Sequence, residues 1–452
     1  MIAISITLII FIILFFIVDY WKALKFILFI YFFLPQSFAF INVKGLPLVS
    51  LPRTITLIVI IFYFVYKRKI DNVFNLSFNK LPYLDGILLI YFGYIIVSLN
   101  SGKLMIDSLS YTHALILDNF AITYIIYRTF HSPKDISQII NIVILEYLII
   151  SIYGIYTWLL NSNPYLDFLS SSANQGYREL VFNYSEQVRS GVYGRVQSTF
   201  YHPISYGGHL AIVCSLIIYQ LYSVEKKLKP LYLITIGLII LNIIITNSRS
   251  PLIFLLIVVI PFFIVFKKNR ILLIILPLVF YLSVGVFPQL LKINYIDTIN
   301  SALSFGFSTK ENSIKGSSIE VRMLQTDISL NYFNQSPLVG FGGTKIREIV
   351  TFQTDKDLSG AESFLFELLI ETGLIGFFIY GFLFIRLIYI FLKIRTKSNP
   401  ELKYISHLGL SLVIGFLVLI IMTGRMGTMF FFFFVITIYL MIVRYKTRYL
   451  NK

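Results

Sequence analysis

Residues 363–392 read SFLFELLIETGLIGFFIYGFLFIRLIYIFL, an apolar run broken by only three charges, Glu367, Glu371 and Arg386. A helix that crosses the hydrocarbon core of a bilayer needs roughly 20 apolar residues, because lipid offers its backbone no hydrogen-bond partners. This run is long enough, and it recurs along the chain. Comparable runs lie near 1–18, 26–41, 54–66, 84–99, 109–127, 137–160, 203–223, 231–246, 250–266, 271–288, 404–422 and 426–443. With 363–392 that predicts about 13 transmembrane helices, within a range of 12–14. Composition agrees, since 57% of residues are hydrophobic and 13% charged. A soluble domain carries about twice that charged fraction and could not bury such an apolar excess. The first run lacks the basic start and Ala-x-Ala-like cleavage site of a signal peptide, so it is read as a helix. The expected fold class is an all-α polytopic membrane protein.

Lysine and arginine in short loops stay cytoplasmic. With an odd number of spans and the N-terminus outside, the inner loops and tail hold 22 of them, against five outside: Lys44, Arg53, Lys103, Arg249 and Arg425. The net charge of +16 is therefore a sidedness signal, and no nucleic-acid partner is expected. The one cysteine, Cys214, falls inside a span, which excludes a disulfide framework and a thiolate metal site. No metal site is expected.

The organisation that follows is an N-terminal transmembrane bundle (1–160), a first extracytoplasmic loop (161–202), core helices (203–288), a large extracytoplasmic loop or cap (289–362) and C-terminal helices (363–452). The cap carries its own helix signal. Ser317 is a good N-cap, Glu320 completes a capping box, and Val321, Leu324, Ile328 and Tyr332 share one face. Ser336-Pro337-Leu338-Val339-Gly340-Phe341-Gly342-Gly343 then ends that helix in a glycine-rich turn. The run Phe430–Phe434 is ordinary lipid-facing or packing sequence.

Four arginines stand at or near the outer boundary: Arg195, Arg249, Arg322 and Arg425. A guanidinium is costly near hydrocarbon and implies a partner. Its planar fork suits phosphate oxygens, and several converging forks would hold a diphosphate. The plainer alternative is that each snorkels to the interface or pairs with a local acid. Tyr177, Tyr184, Tyr193 and Tyr201 near the first loop are candidates for stacking on sugars, or else interface aromatics.

Three stretches, in order and setting, resemble the O-antigen ligase and polymerase superfamily of bacterial envelope glycan enzymes. They are Gly194-Arg195 through Pro203, Asn247-Ser248-Arg249-Ser250, and Arg322 with Ser336–Gly342 leading to Glu362–Gly376, which ends in Glu371-Thr372-Gly373-Leu374-Ile375-Gly376. The likeness covers about the last 250 residues; 1–160 match only as generic membrane helix. The resemblance implies a metal-independent glycosyltransferase of the GT-C type on the outer face of the bacterial plasma (inner) membrane. Its donor would be a glycan on undecaprenyl pyrophosphate, with no cofactor besides that carrier. Ligases of the family move a finished glycan to an acceptor such as lipid A core, whereas polymerases move it to the next lipid-linked repeat unit. The ligases carry a histidine eleven residues before the glycine of the third motif, and here that position is Glu362. The departure favours a polymerase of oligosaccharide repeat units for an O-antigen, capsule or exopolysaccharide.

Under that resemblance, Arg249 and Arg322 clamp the pyrophosphate, and Arg195 joins the clamp or holds the sugar. Glu362 is the general base or orients the acceptor hydroxyl, His202 is the next candidate for the base, and Tyr201 and Arg425 bind substrate. The alternative for Glu362 is a salt bridge to Arg322 or Lys345, and for His202 a structural helix cap. The implied partners are lipid-linked oligosaccharides, membrane lipids, a flippase and a chain-length regulator. Polar residues within spans (Asp118, Asn119, Glu146, His209, Glu367, Glu371 and Arg386) leave a lipid-linked oligosaccharide transporter as the rival class. A transporter places its key charges at mid-depth; an outer-face transferase places them at the outer boundary.

Overall fold

The structure is a computed structural model that describes residues 2–31, 33–34, 39–41, 49–73, 81–172, 195–223, 229–265, 319–352, 363–397, 399–424 and 427–450. Its helices follow the apolar runs. The N-terminal part contains α1 (Ile2–Val18), α2 (Tyr20–Tyr31), α3 (Leu51–Val73), α4 (Leu84–Leu99), α5 (Met105–Ile116) and α6 (Ile122–Thr129), with a π turn, Leu117–Ala121, joining the last two. Next come α7 (Pro133–Leu160) and the short α8 (Pro164–Ser172). The core adds α9 (Pro203–Ser223), α10 (Lys229–Ile245) and α11 (Arg249–Val265). The long loop before residue 363 contributes α12 (Ile319–Gln335) and α13 (Lys345–Phe352). The chain closes with α14 (Phe364–Glu367), α15 (Gly373–Arg395), α16 (Pro400–Thr423) and α17 (Met429–Leu450).

Local chemistry sets several of these ends. Ser132 accepts the Asp135 N–H and starts α7 just before Pro133, while Asn161, in the left-handed region at φ 49°, stops it. Asn399 does the same for α16 by accepting the N–H groups of Glu401 and Leu402. The second expected span, 26–41, is not one helix. α2 stops at Tyr31, and Ala39–Ile41 pairs instead as a short antiparallel strand with Val49–Ser50. Pro35 lies between, and proline removes a backbone donor that a continuous helix needs.

Among the described residues, five helices are long and apolar enough to cross a membrane: Pro133–Leu160, Pro203–Ser223, Phe364–Arg395, Pro400–Thr423 and Met429–Thr447. Four shorter apolar helices accompany them, Ser5–Val18, Leu84–Leu99, Lys229–Ile245 and Arg249–Pro261. Large apolar side chains cover the outside of the bundle, with Val18 81%, Phe378 66% and Ile385 67% exposed. Such a surface is tolerable only against lipid, and the chain is an all-α membrane protein. The expected span at 271–288 lies outside the described residues. At the centre stands α9, buried from Pro203 to Leu221 and packed against α7, α10, α11, α16 and α17. The phenylalanine run is core packing: Phe430 to Phe434 are all buried, and Phe432 stacks on Phe416 at 4.0 Å between centroids.

The stretch 363–392 is not a straight helix. After α14 comes a π turn, Leu368–Thr372, and the chain then breaks at Gly373, whose φ is +55°. In an unbroken helix, the N–H groups of Leu374 and Ile375 would donate to the carbonyls of Ile370 and Glu371. Instead Leu374 donates to Pro337 O at 2.9 Å and Ile375 to Leu338 O at 3.1 Å. The two abandoned carbonyls accept from Phe341 N–H (3.0 Å, Ile370) and Gly342 N–H (2.9 Å, Glu371). One turn of the outer loop thus re-partners all four groups.

Only glycine fits at the contact. A Cβ on Gly340, at φ +64°, would lie 2.5 Å from the backbone of Glu371 and Thr372, and one on Gly373 would lie 2.6 Å from Pro337 O. Ser336 Oγ closes the turn by donating to Gly340 O at 2.8 Å, and Gly343 N–H donates to Ser108 Oγ on α5 at 2.9 Å.

The loop helix α12 ends at Gln335, where the sequence predicts its stop. Ile328 and Tyr332 pack with Ile346 against Ile349 and Ile370, as expected of that face. Leu324 does not belong to it: its side chain is 43% exposed, while Gln325 and Ser329 are buried. The stripe that meets the π turn is rotated toward these two polar residues, and Ser329 satisfies itself by donating to Gln325 O at 2.7 Å. Ser317 and the side chains of Glu320 and Val321 lie outside the described residues.

Gly340→Ala and Gly373→Ala are each expected to destabilise the protein by about 2 kcal/mol or more, from a forbidden φ and a backbone clash. Gly381→Ala, where nothing lies within 4 Å, serves as the neutral control. Thermal unfolding in detergent checks this, and equal melting of all three variants would contradict the docked turn.

Candidate functional site

Four of the seven residues singled out from sequence are described with their side chains, and they lie together at the end of the bundle that carries the loop turn. Arg195 is 5% exposed, and its fork is committed to the turn between α10 and α11. Nε donates to Thr246 O at 3.2 Å and Nη2 to Ser248 Oγ at 2.6 Å. A cation is well placed there, because the carbonyls at the end of α10 carry partial negative charge. The neighbouring Val196 N–H donates to Ile245 O at 3.2 Å, so the segment is stitched to the helix end along its backbone as well. Two further bonds hold it from the other side: Ser198 Oγ donates to Ile150 O at 2.8 Å, and Asn163 Nδ2 donates to Ser198 O at 2.7 Å.

Arg249 is the first residue of α11 and half-buried. Asn247, in the left-handed region at φ 51°, reverses the chain immediately before it. The turn is short because asparagine tolerates that conformation better than most residues.

His202 is 1% exposed and caps α9. Its Nδ1 accepts the Ile204 N–H at 3.0 Å, which is the N-cap geometry of a helix beginning at Pro203. An Nδ1 that accepts has no proton, so the neutral ring carries its proton on Nε2. Nε2 is then a donor, suited to an oxyanion and not to proton abstraction. Tyr201 precedes it, half-buried, its ring 6.4 Å from that of His202.

Two glycines that the motif reading passed over bring the helix starts together. A Cβ on Gly207 would lie 2.7 Å from Pro251 Cβ, two residues past Arg249. One on Gly208 would lie 3.0 Å from Leu419 Cδ2 and 3.1 Å from Thr428 Cγ2. Hence α9 touches α11 on one side and the junction of α16 and α17 on the other. Three helix N-termini, at Pro203, Arg249 and Met429, open on one region, each the positive end of a helix dipole. Ser363 adds a fourth: it caps α14 and donates through Oγ to Ile421 O at 2.7 Å.

Glu362 and Arg425 lie outside the described residues, as do Tyr177, Tyr184 and Tyr193. Arg322 is placed on α12 by its backbone alone. Among the described residues, Ser363 is bonded to the end of α16 through Ile421 O. Lys345, one alternative partner of Glu362, pairs with Glu348 at 2.9 Å.

Three basic residues at the opposite end have local partners. Lys25 meets Asp135 at 2.5 Å, Lys446 meets Glu401 at 2.6 Å, and Arg444 donates to the carbonyls of Tyr127 and Phe130 at 2.9 and 2.7 Å. Within the bundle, Arg386 lies 3.2 Å from Asp85, Glu146 is fully buried, and the His209 ring stacks on Phe431 at 5.2 Å. Among the described residues, no three His, Cys, Asp or Glu side chains group as a metal site would need.

Residues 234–381 match the family model described as O-antigen ligase. The match supports the resemblance to the O-antigen ligase and polymerase superfamily, whose members are glycosyltransferase-like enzymes acting on lipid-linked glycans. It takes in Arg249, the loop with Arg322, Glu362 and the broken helix, and leaves Arg195, Tyr201, His202 and Arg425 outside. No curated protein matches the chain.

His202→Asn should preserve the cap, since asparagine is among the best N-cap residues, whereas His202→Ala should cost about 1 kcal/mol. Thermal unfolding of the two variants checks the assignment. Equal loss in both would mean that His202 is held by packing and not by the cap.

Proposed function

We propose that this protein is a polymerase of undecaprenyl-pyrophosphate-linked oligosaccharide repeat units, acting on the outer face of the bacterial plasma membrane. The growing glycan is the donor and the next lipid-linked unit the acceptor. The observation that best supports this is the turn stitched by Arg195: a buried guanidinium holding Thr246 and Ser248 so that Arg249 stands beside the capped start of α9. Side chains and helix ends of one sign concentrated at one end of a membrane bundle suit a diphosphate. The lysine and arginine bias of the short loops favours placing that end away from the cytoplasm. The bundle is then of the GT-C kind, with the loop as its cap.

In the reaction, the acceptor hydroxyl attacks the anomeric carbon of the donor glycan. A new glycosidic bond forms, the bond from that carbon to the pyrophosphate oxygen breaks, and the electron pair leaves with the pyrophosphate. Arg249, joined by Arg322 from the loop, stabilises the charge developing on that leaving group. His202, buried as the cap of α9, holds the start of that helix beside Arg249. Glu362 takes the proton from the attacking hydroxyl. Arg195 acts through the turn and is a positioning residue. A fixed cationic clamp of this kind does the work that a metal ion does in other transferases. Glu362 in place of the histidine of the ligases favours repeat-unit transfer over transfer to a lipid A core. A flippase would deliver the units, and a chain-length regulator would act on the product.

The test is polymer length on a gel, with purified protein in lipid and a lipid-linked repeat unit, with and without a chelator. Wild type should give a chelator-resistant ladder. Arg249→Ala and Glu362→Gln should each lower the rate on the order of 10²–10³-fold, the usual cost of removing one group that stabilises a transition state. Transfer of finished glycan to another acceptor would make the protein a ligase. Movement of the lipid between leaflets with no bond formed would make it a transporter.

A further inference from the structure

We infer that a cavity beside this site, between α2, α3, α5 and the start of α17, binds a neutral sugar ring of the lipid-linked glycan. The inference rests on the proposed transferase activity and adds a subsite to it. The cavity has a volume of about 320 Å³. None of its lining residues falls within the 234–381 family match.

Its polar wall is an ion pair. Arg53, one of the five basic residues expected outside, grips Asp118 with both arms of its fork: Nε to Oδ1 at 2.9 Å and Nη2 to Oδ2 at 2.7 Å. The side chains keep 21% and 39% of their surface exposed. The pair cancels its own charge, so the cavity is a poor host for a diphosphate and a good one for hydroxyl groups. A carboxylate offers about four acceptor positions, more than one fork consumes.

Asp118 and Asn119 both line the cavity. They belong to the π turn Leu117–Ala121, and such bulges recur at functional sites. Asn119 Nδ2 donates to Leu115 O at 2.8 Å, which leaves the amide oxygen of Asn119 directed away from that bond.

The remaining wall is aromatic. Tyr31 packs on Phe430 at 4.9 Å between centroids, and Tyr111 stands opposite, half-buried. A sugar ring has an apolar C–H face and a rim of hydroxyls. Aromatic faces next to a carboxylate, a guanidinium and an amide match both parts.

The cavity adjoins the candidate site. Gly343 of the docked turn sits against the Tyr111 ring, and the wall formed by Gly427 and Met429 flanks Thr428, which touches Gly208 of α9. A glycan whose diphosphate lies at Arg249 therefore has a neighbouring pocket for one of its rings.

The test uses full-length protein in nanodiscs and two probes. One is the repeat-unit oligosaccharide freed from its lipid pyrophosphate by mild acid; the other is inorganic pyrophosphate. Saturation-transfer NMR reads the binding of each without requiring bond formation. Ala114→Phe, which fills the cavity from its wall, and Asn119→Ala, which removes a polar contact, act by different means, so a folding failure in one leaves the other informative. Wild type should saturate the oligosaccharide, and both variants should lower that signal at least about five-fold while pyrophosphate binding stays the same. Three results would each overturn the inference: an oligosaccharide signal unchanged in both variants, no signal in wild type, or a parallel loss of pyrophosphate binding. Oligosaccharide binding that depends on the cavity in a protein that forms no glycosidic bond would uphold the subsite and refute the transferase reading.

Discussion

Four backbone hydrogen bonds between the loop turn at 336–343 and the broken helix at 370–375 join the long loop of this protein to its membrane part. A helix interrupted in or near hydrocarbon leaves donors and acceptors that water cannot reach, at a cost of several kcal/mol each. Here the break is filled by a second stretch of chain whose own donors and acceptors are offered in matching order. The loop cannot leave without exposing the break, and the helix cannot straighten without expelling the loop. That mutual dependence explains why Gly340, Gly342 and Gly373 all adopt positive φ. It also explains why the glycine-rich turn and the Glu-Thr-Gly-Leu-Ile-Gly stretch occur in one chain at all.

The rest of the outer end is built on close approach. Gly207 and Gly208 let the central helix touch two neighbours that a side chain would hold off. Tyr206, next to them, donates to Asn242 Oδ1 at 2.8 Å, and Asn242 Nδ2 donates to Ser151 O at 3.0 Å, which ties three helices just beneath the site. Above this network, Arg195 and His202 are each engaged with a neighbouring segment or helix start. They form the rigid frame, and Arg249 stands at its edge. In the proposed transferase, such a frame would orient charge before the substrate arrives, which is the main way fixed dipoles lower a barrier.

Much of this was legible in the sequence. The apolar runs at 84–99 and 203–223 coincide with α4 and α9 to the residue, because a helix that faces lipid or core must be apolar along its whole length. The stop of α12 was readable from Ser-Pro and the glycines that follow. What could not be read is what depends on partners distant in the chain. Nothing local says that residues 336–343 insert at 373, or that Leu324 faces outward while Gln325 faces in. The segment at 26–41 is as apolar as a span and still divides into a helix and a strand. Arg53 and Asp118 are 65 residues apart and looked like a loop cation and a misplaced span acid until the fold set them together. Of the arginine motif, the position of Arg195 was legible, but its task was not. Its expected place was in the diphosphate clamp or on the sugar, and its fork is bonded to the turn that presents the next arginine.

In the proposed enzyme, the end of the bundle carrying Arg195, His202, Arg249 and the docked turn holds the diphosphate of a lipid-linked glycan. A cryo-EM map of the protein in nanodiscs with a polyprenyl pyrophosphate would show this. Diphosphate density is expected within hydrogen-bond distance of the Arg249 turn and the start of α9. Density at mid-depth beside Glu146 and His209, or at the opposite end beside Lys446 and Glu401, would contradict it.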